Sequence, residues 1–206
     1  MQKDNKIKYT AKTVKEIKMT DSWERLRADC ESCHACSLCE TRTNCVFGTG
    51  CETADILFVG EAPGDNEDKT GIPFVGRAGK LLDQYLFAVD IPRDSVYIAN
   101  ILKCRPPKNR DPLPAEEDAC MDFLRRQVKL IRPKIIVCLG RISAMKLIKP
   151  DFKITKEHGV WFEKGSFLIT AVYHPALLLR DPRRKEEMLA DMKVIKEKLD
   201  SLKEQG

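Results

Sequence analysis

The fold is indicated first by the stretch Ile56-Leu-Phe-Val-Gly-Glu-Ala-Pro-Gly64, in which an apolar run leads into a loop of glycine, proline and acidic residues. Three other short apolar runs rich in β-branched residues have the same character: Val96–Leu102, Lys134–Gly140 and Phe167–Val172. Short apolar runs bounded by turn residues are typical of buried strands. The sequence therefore predicts four strands, the first at Ile56–Gly60.

Helical patterns alternate with these runs along the chain. They cover Gly79–Val89, Ala115–Ile131 after Pro114, Arg141–Ile148 and Glu186–Leu202. Parallel strands need long crossover connections, which are usually helices, so the alternation indicates a sheet covered on both faces. We predict an α/β fold, a three-layer αβα sandwich with a central, largely parallel four-stranded sheet.

The composition is that of a globular protein. The 206 residues are 43% hydrophobic and 33% charged, and this length suits one ordinary domain. No apolar run approaches the roughly 18 residues of a membrane-spanning helix, and residues 1–20 lack the apolar core of a secretory signal. We predict a single domain over 21–206, a Lys-rich extension over 1–20 that is open to disorder, and a cytoplasmic location without membrane contact.

Three of the predicted strands lead into loops rich in polar residues. These loops are Gly60–Asp68, Lys103–Arg110 and Tyr173–Arg180. In a parallel sheet the carboxyl ends of the strands meet at one edge, where ligands usually bind. We therefore expect the three loops to form one functional site.

Cysteine is frequent, with nine residues in the chain, of which four recur at every third position from Cys30 to Cys39. A chain without an export signal keeps its thiols reduced, so clustered cysteines indicate metal binding or catalysis. Zinc and iron-sulfur clusters both accept four thiolates, so spacing alone leaves the metal open. Cys104 follows a predicted strand and Cys120 lies on the apolar side of a predicted helix, where both can face a buried site. A single cysteine such as Cys138 can equally be a small core residue.

Several segments taken together resemble the family 4 uracil-DNA glycosylases, the iron-sulfur branch of the uracil-excising superfamily. Between Cys33 and Leu199 the resembling motifs are, in order, Cys33-x2-Cys36, Gly60-Glu-Ala-Pro-Gly64, Lys69-Thr-Gly-Ile-Pro-Phe-Val-Gly76, Asn100, Lys103-Cys-Arg-Pro-Pro107, Cys120 and His174-Pro-Ala-Leu-Leu-Leu-Arg180. Each motif is weak alone, but their common order is specific.

The resemblance implies a 4Fe-4S cluster, with zinc as the alternative. Its ligands would be Cys33, Cys36, Cys104 and Cys120. Because the cysteine run also contains Cys30 and Cys39, a ligand set shifted by three residues stays open.

The implied reaction breaks the bond between uracil N1 and deoxyribose C1′. Its transition state carries positive charge on the sugar and negative charge on the base, so the enzyme needs a partner for each. The resemblance places a carboxylate near C1′, either Glu61 or Glu67, to align a water molecule. It places His174 beside uracil O2 as a neutral hydrogen-bond donor. Taken alone, the acidic residues can equally cap a turn, and a single histidine is more often structural.

Base recognition is implied for four further residues. A base inside a duplex is out of reach, so the nucleotide must flip out of the helix. Phe74 would stack on the flipped base, and Asn100 would read its Watson–Crick edge. Gly60 and Ala62, in the same loop as the carboxylates, would contact the base.

DNA contacts are expected from two of the loops. Leu177 and Leu178 would wedge into the space that the flipped nucleotide leaves. The expected phosphate contacts are Arg105, Lys108, Arg110 and Arg180. Further positive charge in these segments comes from Lys103, Arg183 and Arg184. The net charge of +5 permits DNA binding without establishing it.

The sequence thus predicts a monofunctional uracil-DNA glycosylase of base excision repair, which leaves an abasic site in an intact strand. No loop offers the lysine nucleophile of a lyase. We expect a monomer that binds uracil-containing DNA, lies with the nucleoid, and can contact a sliding clamp or another repair protein through residues 1–20. Two other classes stay open: a non-catalytic iron-sulfur electron carrier and a uracil-DNA-binding protein without turnover.

Overall fold

The computed structural model describes residues 21–204, so our predictions for residues 1–20 lie outside the described part of the chain. The helices are α1 (Trp23–Glu31), α2 (Asp65–Thr70), α3 (Arg77–Ala88), α4 (Pro114–Ile131), α5 (Arg141–Leu147), α6 (Ile154–Glu157), α7 (Pro175–Arg180) and α8 (Lys185–Glu204). The strands are β1 (Thr49–Gly50), β2 (Ile56–Gly60), β3 (Tyr97–Asn100), β4 (Ile135–Leu139), β5 (Phe162–Lys164) and β6 (Phe167–Val172). Among the helices of residues 21–204, none has both the length and the apolar character needed to cross a bilayer.

The strands form one sheet in the order β1-β3-β2-β4-β6-β5. The inner strands β3, β2, β4 and β6 are parallel, whereas β1 and β5 pair antiparallel at the two edges. The predicted, largely parallel sheet is confirmed, and all four predicted strands are present. The predicted number of strands is wrong, because β1 has two residues and β5 has three, and such short strands show no hydrophobic periodicity.

The inner strands bury both of their faces. In β2, Leu57 and Val59 belong to the core cluster that α1, α4 and α5 cover, whereas Ile56 and Phe58 belong to the cluster that α3, α7 and α8 cover. Successive side chains of a strand point to opposite faces, so a continuous apolar run is needed where helices cover both. The three-layer αβα sandwich is therefore confirmed.

The four predicted helices are confirmed with small shifts at their ends. α3 begins at Arg77, two residues before the predicted start, and α4 begins at Pro114. Proline suits the first turn of a helix because it has no N–H to leave unpaired there. The Glu116 side chain accepts a hydrogen bond from the Leu113 N–H at 2.9 Å and so caps the same turn.

The sequence pattern misses four short helices, α1, α2, α6 and α7. Two of them overlap the loops that were expected to form the functional site. The N-cap residue of α2 is Gly64, after β2, and that of α7 is His174, after β6. Segments expected to be loops are therefore helical over six residues each. The side chains of α7 consequently follow helical geometry, in which neighbouring residues face different directions.

The register of the parallel strands aligns their carboxyl ends. Gly60 pairs with Asn100 across β2 and β3, and Leu139 pairs with Val172 across β4 and β6. The residues that follow these four strands therefore start from the same edge of the sheet.

Candidate active site and cysteine cluster

A cleft of about 800 Å³ opens at the carboxyl edge of the sheet, lined by the segments that follow β2, β3, β4 and β6. The predicted site residues that line it are Glu61, Ala62, Glu67, Phe74, Asn100, Arg110, His174, Leu177 and Arg180. Gly60 lies directly beside two of them, since a Cβ at this position would collide with the side chains of Asn100 and Phe74. The predicted catalytic and base-binding residues are thus brought together in one place.

Asn100 ends β3 and is 1% exposed. Its Oδ1 is buried and has no hydrogen-bond partner within residues 21–204. Buried polar atoms are normally paired, because leaving one unpaired costs roughly 1–3 kcal/mol. Lys103 Nζ donates to the Asn100 carbonyl at 2.9 Å and to Gln127 Oε1 at 2.7 Å, which fixes the backbone here. Asn100 therefore offers a fixed acceptor at the cleft.

Phe74 lies in a loop whose backbone is held by a carboxylate. Its φ of 55° falls in the left-handed region, which is uncommon for a bulky residue. Glu67 Oε1 accepts hydrogen bonds from the N–H groups of Val75 at 2.9 Å and Gly76 at 2.8 Å. The Phe74 ring centroid lies 5.8 Å from that of His174. Glu67 thus stabilises the loop that places an aromatic ring beside the histidine.

His174 is the N-cap residue of α7. Its Nδ1 accepts a hydrogen bond from the Ala176 N–H at 3.1 Å, which assigns the proton of the neutral ring to Nε2. Burial lowers the pKa of His174 to about 4, and the nearby Arg180 acts in the same direction. Gly140 has a φ of 92°, and a side chain there would meet the His174 Cβ at 2.7 Å. The site therefore holds a neutral imidazole with one N–H donor.

The two candidate carboxylates have different surroundings. Glu67 accepts the two backbone hydrogen bonds described above, whereas the structure gives Glu61 no hydrogen-bond donor from residues 21–204. Burial raises the pKa of Glu61 to about 7, Asp111 adds to the shift, and Arg141 opposes it. Glu61 is thus the carboxylate that is free to act on a ligand.

The cysteines collect in a second region, next to the cleft loops. Six of them line one small cavity together with Arg42 and Lys103: Cys30, Cys33, Cys36, Cys39, Cys104 and Cys120. The Lys103 N–H donates to Cys120 Sγ at 3.3 Å, and Arg42 Nη1 donates to Cys104 Sγ at 3.2 Å. Within residues 21–204, no group of three or more His, Cys, Asp or Glu side chains is arranged to hold a single metal ion.

Burial shapes the chemistry of these sulfurs. It raises the pKa of Cys104 to about 12 and that of Cys120 to about 11. Both are therefore thiols at neutral pH in the metal-free chain, and a bound cation would be needed to hold them as thiolates. N–H donors on both sulfurs suit such a group, because hydrogen bonds to the sulfurs tune iron-sulfur sites. The donor set fits an iron-sulfur cluster.

Comparison with known proteins agrees with this geometry. The family model for the uracil DNA glycosylase superfamily matches residues 47–196. A type-4 uracil-DNA glycosylase of Archaeoglobus fulgidus is 48% identical over 174 residues, which cover 81% of this chain and 87% of that protein. This chain belongs to the type-4 uracil-DNA glycosylase family.

Two further type-4 uracil-DNA glycosylases have similar levels of identity. The protein of Sulfurisphaera tokodaii is 45% identical over 186 residues, which cover 86% of this chain and 84% of that protein. The protein of Thermotoga maritima is 45% identical over 155 residues, which cover 73% of this chain and 80% of that protein. The resemblance seen in the sequence is confirmed, and the glycosylase interpretation is favoured over that of an electron carrier.

Two of the predicted phosphate contacts of this type-4 family member are exposed cations. Lys108 lies in the turn after β3, and Arg180 ends α7 at the rim of the cleft. Neither forms an ion pair within the described residues, so their charge is open to a ligand.

The other two predicted phosphate contacts are already paired with carboxylates. Arg105 Nη1 lies 2.7 Å from Asp65 Oδ1, and Arg110 contacts both carboxylate oxygens of Glu116, at 2.9 and 2.5 Å. Their positive charge is partly compensated inside the protein, so they are weaker candidates for phosphate binding than Lys108 and Arg180.

Two predictions for the DNA-facing surface are wrong. Leu178 is 0% exposed, because the helical turn of α7 directs it into the core, whereas Leu177 and Leu179 line the cleft. The wedge candidates are therefore Leu177 and Leu179. Lys103 is 1% exposed and bonded inside the protein, so it adds no charge to the surface.

Sequence reasoning missed two arginines that line the cleft. Arg141 begins α5, separated by one residue from the end of β4, and its Nη2 lies 3.3 Å from Asp111 Oδ2. Its position immediately after the predicted strand Lys134–Gly140 is the sequence signal for it. Arg77 is the first residue of α3, and no sequence pattern distinguishes it.

We predict that Glu67→Ala lowers the free energy of unfolding by about 1–3 kcal/mol, because two backbone N–H groups lose their acceptor. Glu67→Gln keeps a carbonyl oxygen and should recover at least half of the loss. Denaturant unfolding measures both variants. Glu163→Ala, on the exposed edge strand β5, is the control and should change the value by less than about 0.5 kcal/mol. An unfolding curve of Glu67→Ala that overlays the wild-type curve would contradict the role of Glu67 in stabilising the Phe74 loop.

Proposed function

We propose that this protein is a uracil-DNA glycosylase, which draws uracil out of DNA and hydrolyses its N-glycosidic bond to leave an abasic site for base excision repair. Membership of the type-4 family supports the proposal. The observation that carries it is the fixed, unpaired Oδ1 of Asn100, in the cleft that also contains His174 and Glu61.

Asn100 fits the edge of uracil. Its Oδ1 can accept a hydrogen bond from uracil N3–H while its amide NH₂ donates to uracil O4. Cytosine has an acceptor at N3 and an amino donor at the neighbouring position, so it would set acceptor against acceptor and donor against donor. Phe74 would stack on the base. Because Gly60 has no side chain, Asn100 and Phe74 both have room beside it, and Ala62 lines the cleft next to them.

His174 would stabilise the leaving base. Negative charge builds up on uracil O2 as the bond to the sugar breaks, and a fixed N–H donor stabilises an oxyanion without giving up its proton. The hydrogen bond between Nδ1 and the Ala176 N–H leaves Nε2–H for this role.

Glu61 would align the attacking water and stabilise the sugar cation. A free carboxylate with a pKa near neutrality suits a group that both holds water and accepts its proton. Glu67 already accepts two backbone hydrogen bonds, so we assign it the positioning of the Phe74 loop. The difference in hydrogen bonding supports Glu61 over Glu67, between which the sequence left the choice open.

DNA would lie across the mouth of the cleft. Lys108 and Arg180 carry the exposed charge for phosphates, with Arg105 and Arg110 as secondary contacts. Leu177, with Leu179 rather than Leu178, would fill the space of the flipped nucleotide. We further propose a monomeric, cytoplasmic enzyme with one domain over 21–206.

We assign a 4Fe-4S cluster to Cys33, Cys36, Cys104 and Cys120. Four thiols that reach one cavity from segments far apart in the chain support this, with zinc as the alternative. When bound, the cluster supplies a covalent tie between the segment after α1, the start of the loop after β3 and α4. Hydrolysis of a glycosidic bond transfers no electrons, so this role is structural.

The activity is tested on an oligonucleotide with one uracil, followed by alkali. Cleavage at uracil by the full-length protein is expected, with no cleavage at cytosine. His174→Ala and Glu61→Gln should each lower the single-turnover rate by about 100-fold or more, since each removes one partner of the transition-state charges. Glu163→Gln should match the wild type. A strand left intact by stoichiometric, iron-loaded protein would reject the glycosylase and favour a binding protein without turnover.

The pH dependence tests Glu61. Its raised pKa of about 7 means that the carboxylate is protonated below this pH and cannot take a proton from water. The single-turnover rate should therefore fall as the pH drops below 7 and level off above it. His174 should not contribute in this range, because its pKa is about 4. A flat profile between pH 5.5 and 8 would remove Glu61 from this role.

The cluster is tested with Cys104→Ser. The variant should lose bound iron, visible absorbance and thermal stability together, because one ligand is gone. Cys51→Ser is the matched control, since Cys51 lies outside the cavity and contacts Thr53. Iron and sulfide analysis also separates an iron-sulfur cluster from zinc. Full retention of iron by Cys104→Ser would disprove this ligand assignment.

A further inference from the structure

Cys30 and Cys45 form a close sulfur pair that contains none of the four proposed ligands, although Cys30 lines the same cavity as these ligands. Both are free thiols, and their Sγ atoms lie 3.1 Å apart. A disulfide bond is about 2.05 Å long, so an approach of about 1 Å separates this contact from a covalent bond. Cys30 is fully buried and Cys45 is partly exposed.

The backbone on both sides of the pair is held in place. Cys30 lies in the last turn of α1, where the Cys33 N–H donates to its carbonyl at 3.3 Å. Next to Cys45, the Val46 N–H donates to the Lys103 carbonyl at 2.8 Å, which ties this segment to the chain after β3. The two sulfurs are therefore held in contact by ordered backbone at the core, and not by two mobile side chains on the surface.

We propose that Cys30 and Cys45 are a thiol-oxidation site, which forms an intramolecular disulfide by exchange with a low-molecular-weight disulfide. Cys45 reacts first because it is the more exposed residue of the pair. Its thiolate attacks one sulfur of the small disulfide and releases one thiol. Cys30 then attacks the Cys45 sulfur of the mixed disulfide and releases the second thiol. Two electrons pass to the small disulfide, and the two protons end on the released thiols.

The bond would close a ring around the cysteine run. The enclosed segment carries Cys33 and Cys36, which are two of the proposed cluster ligands, and Cys39. Closing such a ring lowers the conformational entropy of the unfolded chain and keeps these thiols near one another. The oxidised protein should melt about 5–10 °C above the reduced protein. The proposal goes beyond glycosylase activity and does not depend on it.

Peptide mapping of the full-length protein tests the bond directly. The protein is incubated with oxidised glutathione, quenched in acid, alkylated under denaturing conditions and cleaved after glutamate. Cleavage at Glu24 and Glu31 isolates Cys30 in residues 25–31, and cleavage at Glu40 and Glu52 places Cys45 in residues 41–52. A cross-linked pair of these peptides that reduction releases is the expected result. Because Cys51 shares the second peptide, the same cross-link must appear in Cys51→Ser.

Recovery of both peptides in fully alkylated form would overturn the proposal, as would a cross-link of residues 25–31 to residues 32–40 alone. Melting curves give a second test: the oxidised wild type and Cys51→Ser should melt above their reduced forms, whereas Cys45→Ser should show no such difference. Iron content separates this site from the cluster. Cys45→Ser should keep its iron, and a loss of iron there but not in Cys51→Ser would make Cys45 a metal ligand and reject the disulfide.

Discussion

The parallel hydrogen-bond register of the four inner strands is the constraint on which the rest of the molecule depends. It sets Gly60 beside Asn100, and it sets the end of β4 beside the end of β6. Every chemically active group of the cleft starts from this edge, so small residues are needed where backbones and side chains converge. Gly60 leaves room for Asn100 and Phe74, and Gly140 leaves room for His174. A side chain at Gly60 would displace Asn100 or Phe74, and one at Gly140 would displace His174.

The two glutamates of the cleft, Glu61 and Glu67, differ in their hydrogen bonding. Glu67 Oε1 accepts hydrogen bonds from two backbone N–H groups, so this side chain stabilises the loop. Glu61 has only burial and nearby charges acting on it, and its pKa rises to about 7. His174 is held neutral by burial with one nitrogen already occupied. A hydrogen-bond donor, the His174 Nε2–H, and a proton acceptor, the Glu61 carboxylate, are thus both available near neutral pH.

The sequence allowed the inner sheet, the long helices and the sheet edge at which the candidate site residues meet to be predicted, because buried strands and strand-end loops leave strong local patterns. It did not reveal β1 and β5, whose two and three residues are too few for periodicity. The role of Leu178 was misjudged because a run of three leucines does not show which of them faces the core until α7 is known to be helical. Lys103 was misjudged because it lies in a basic loop, whereas the acceptors that bury it, the Asn100 carbonyl and Gln127, are visible only in three dimensions.

The buried amino group of Lys103 also links positions 103 and 127. Gln127 Oε1 accepts from Lys103 Nζ, and Gln127 Nε2 donates to the Phe47 carbonyl at 2.9 Å, so the two polar side chains complete each other inside an apolar layer. An apolar residue at one position alone leaves a lone donor or acceptor in the core. Libraries that vary the two sites singly would therefore discard both changes, whereas joint apolar replacement removes this donor–acceptor pair together and leaves the Asn100 and Phe47 carbonyls without these donors.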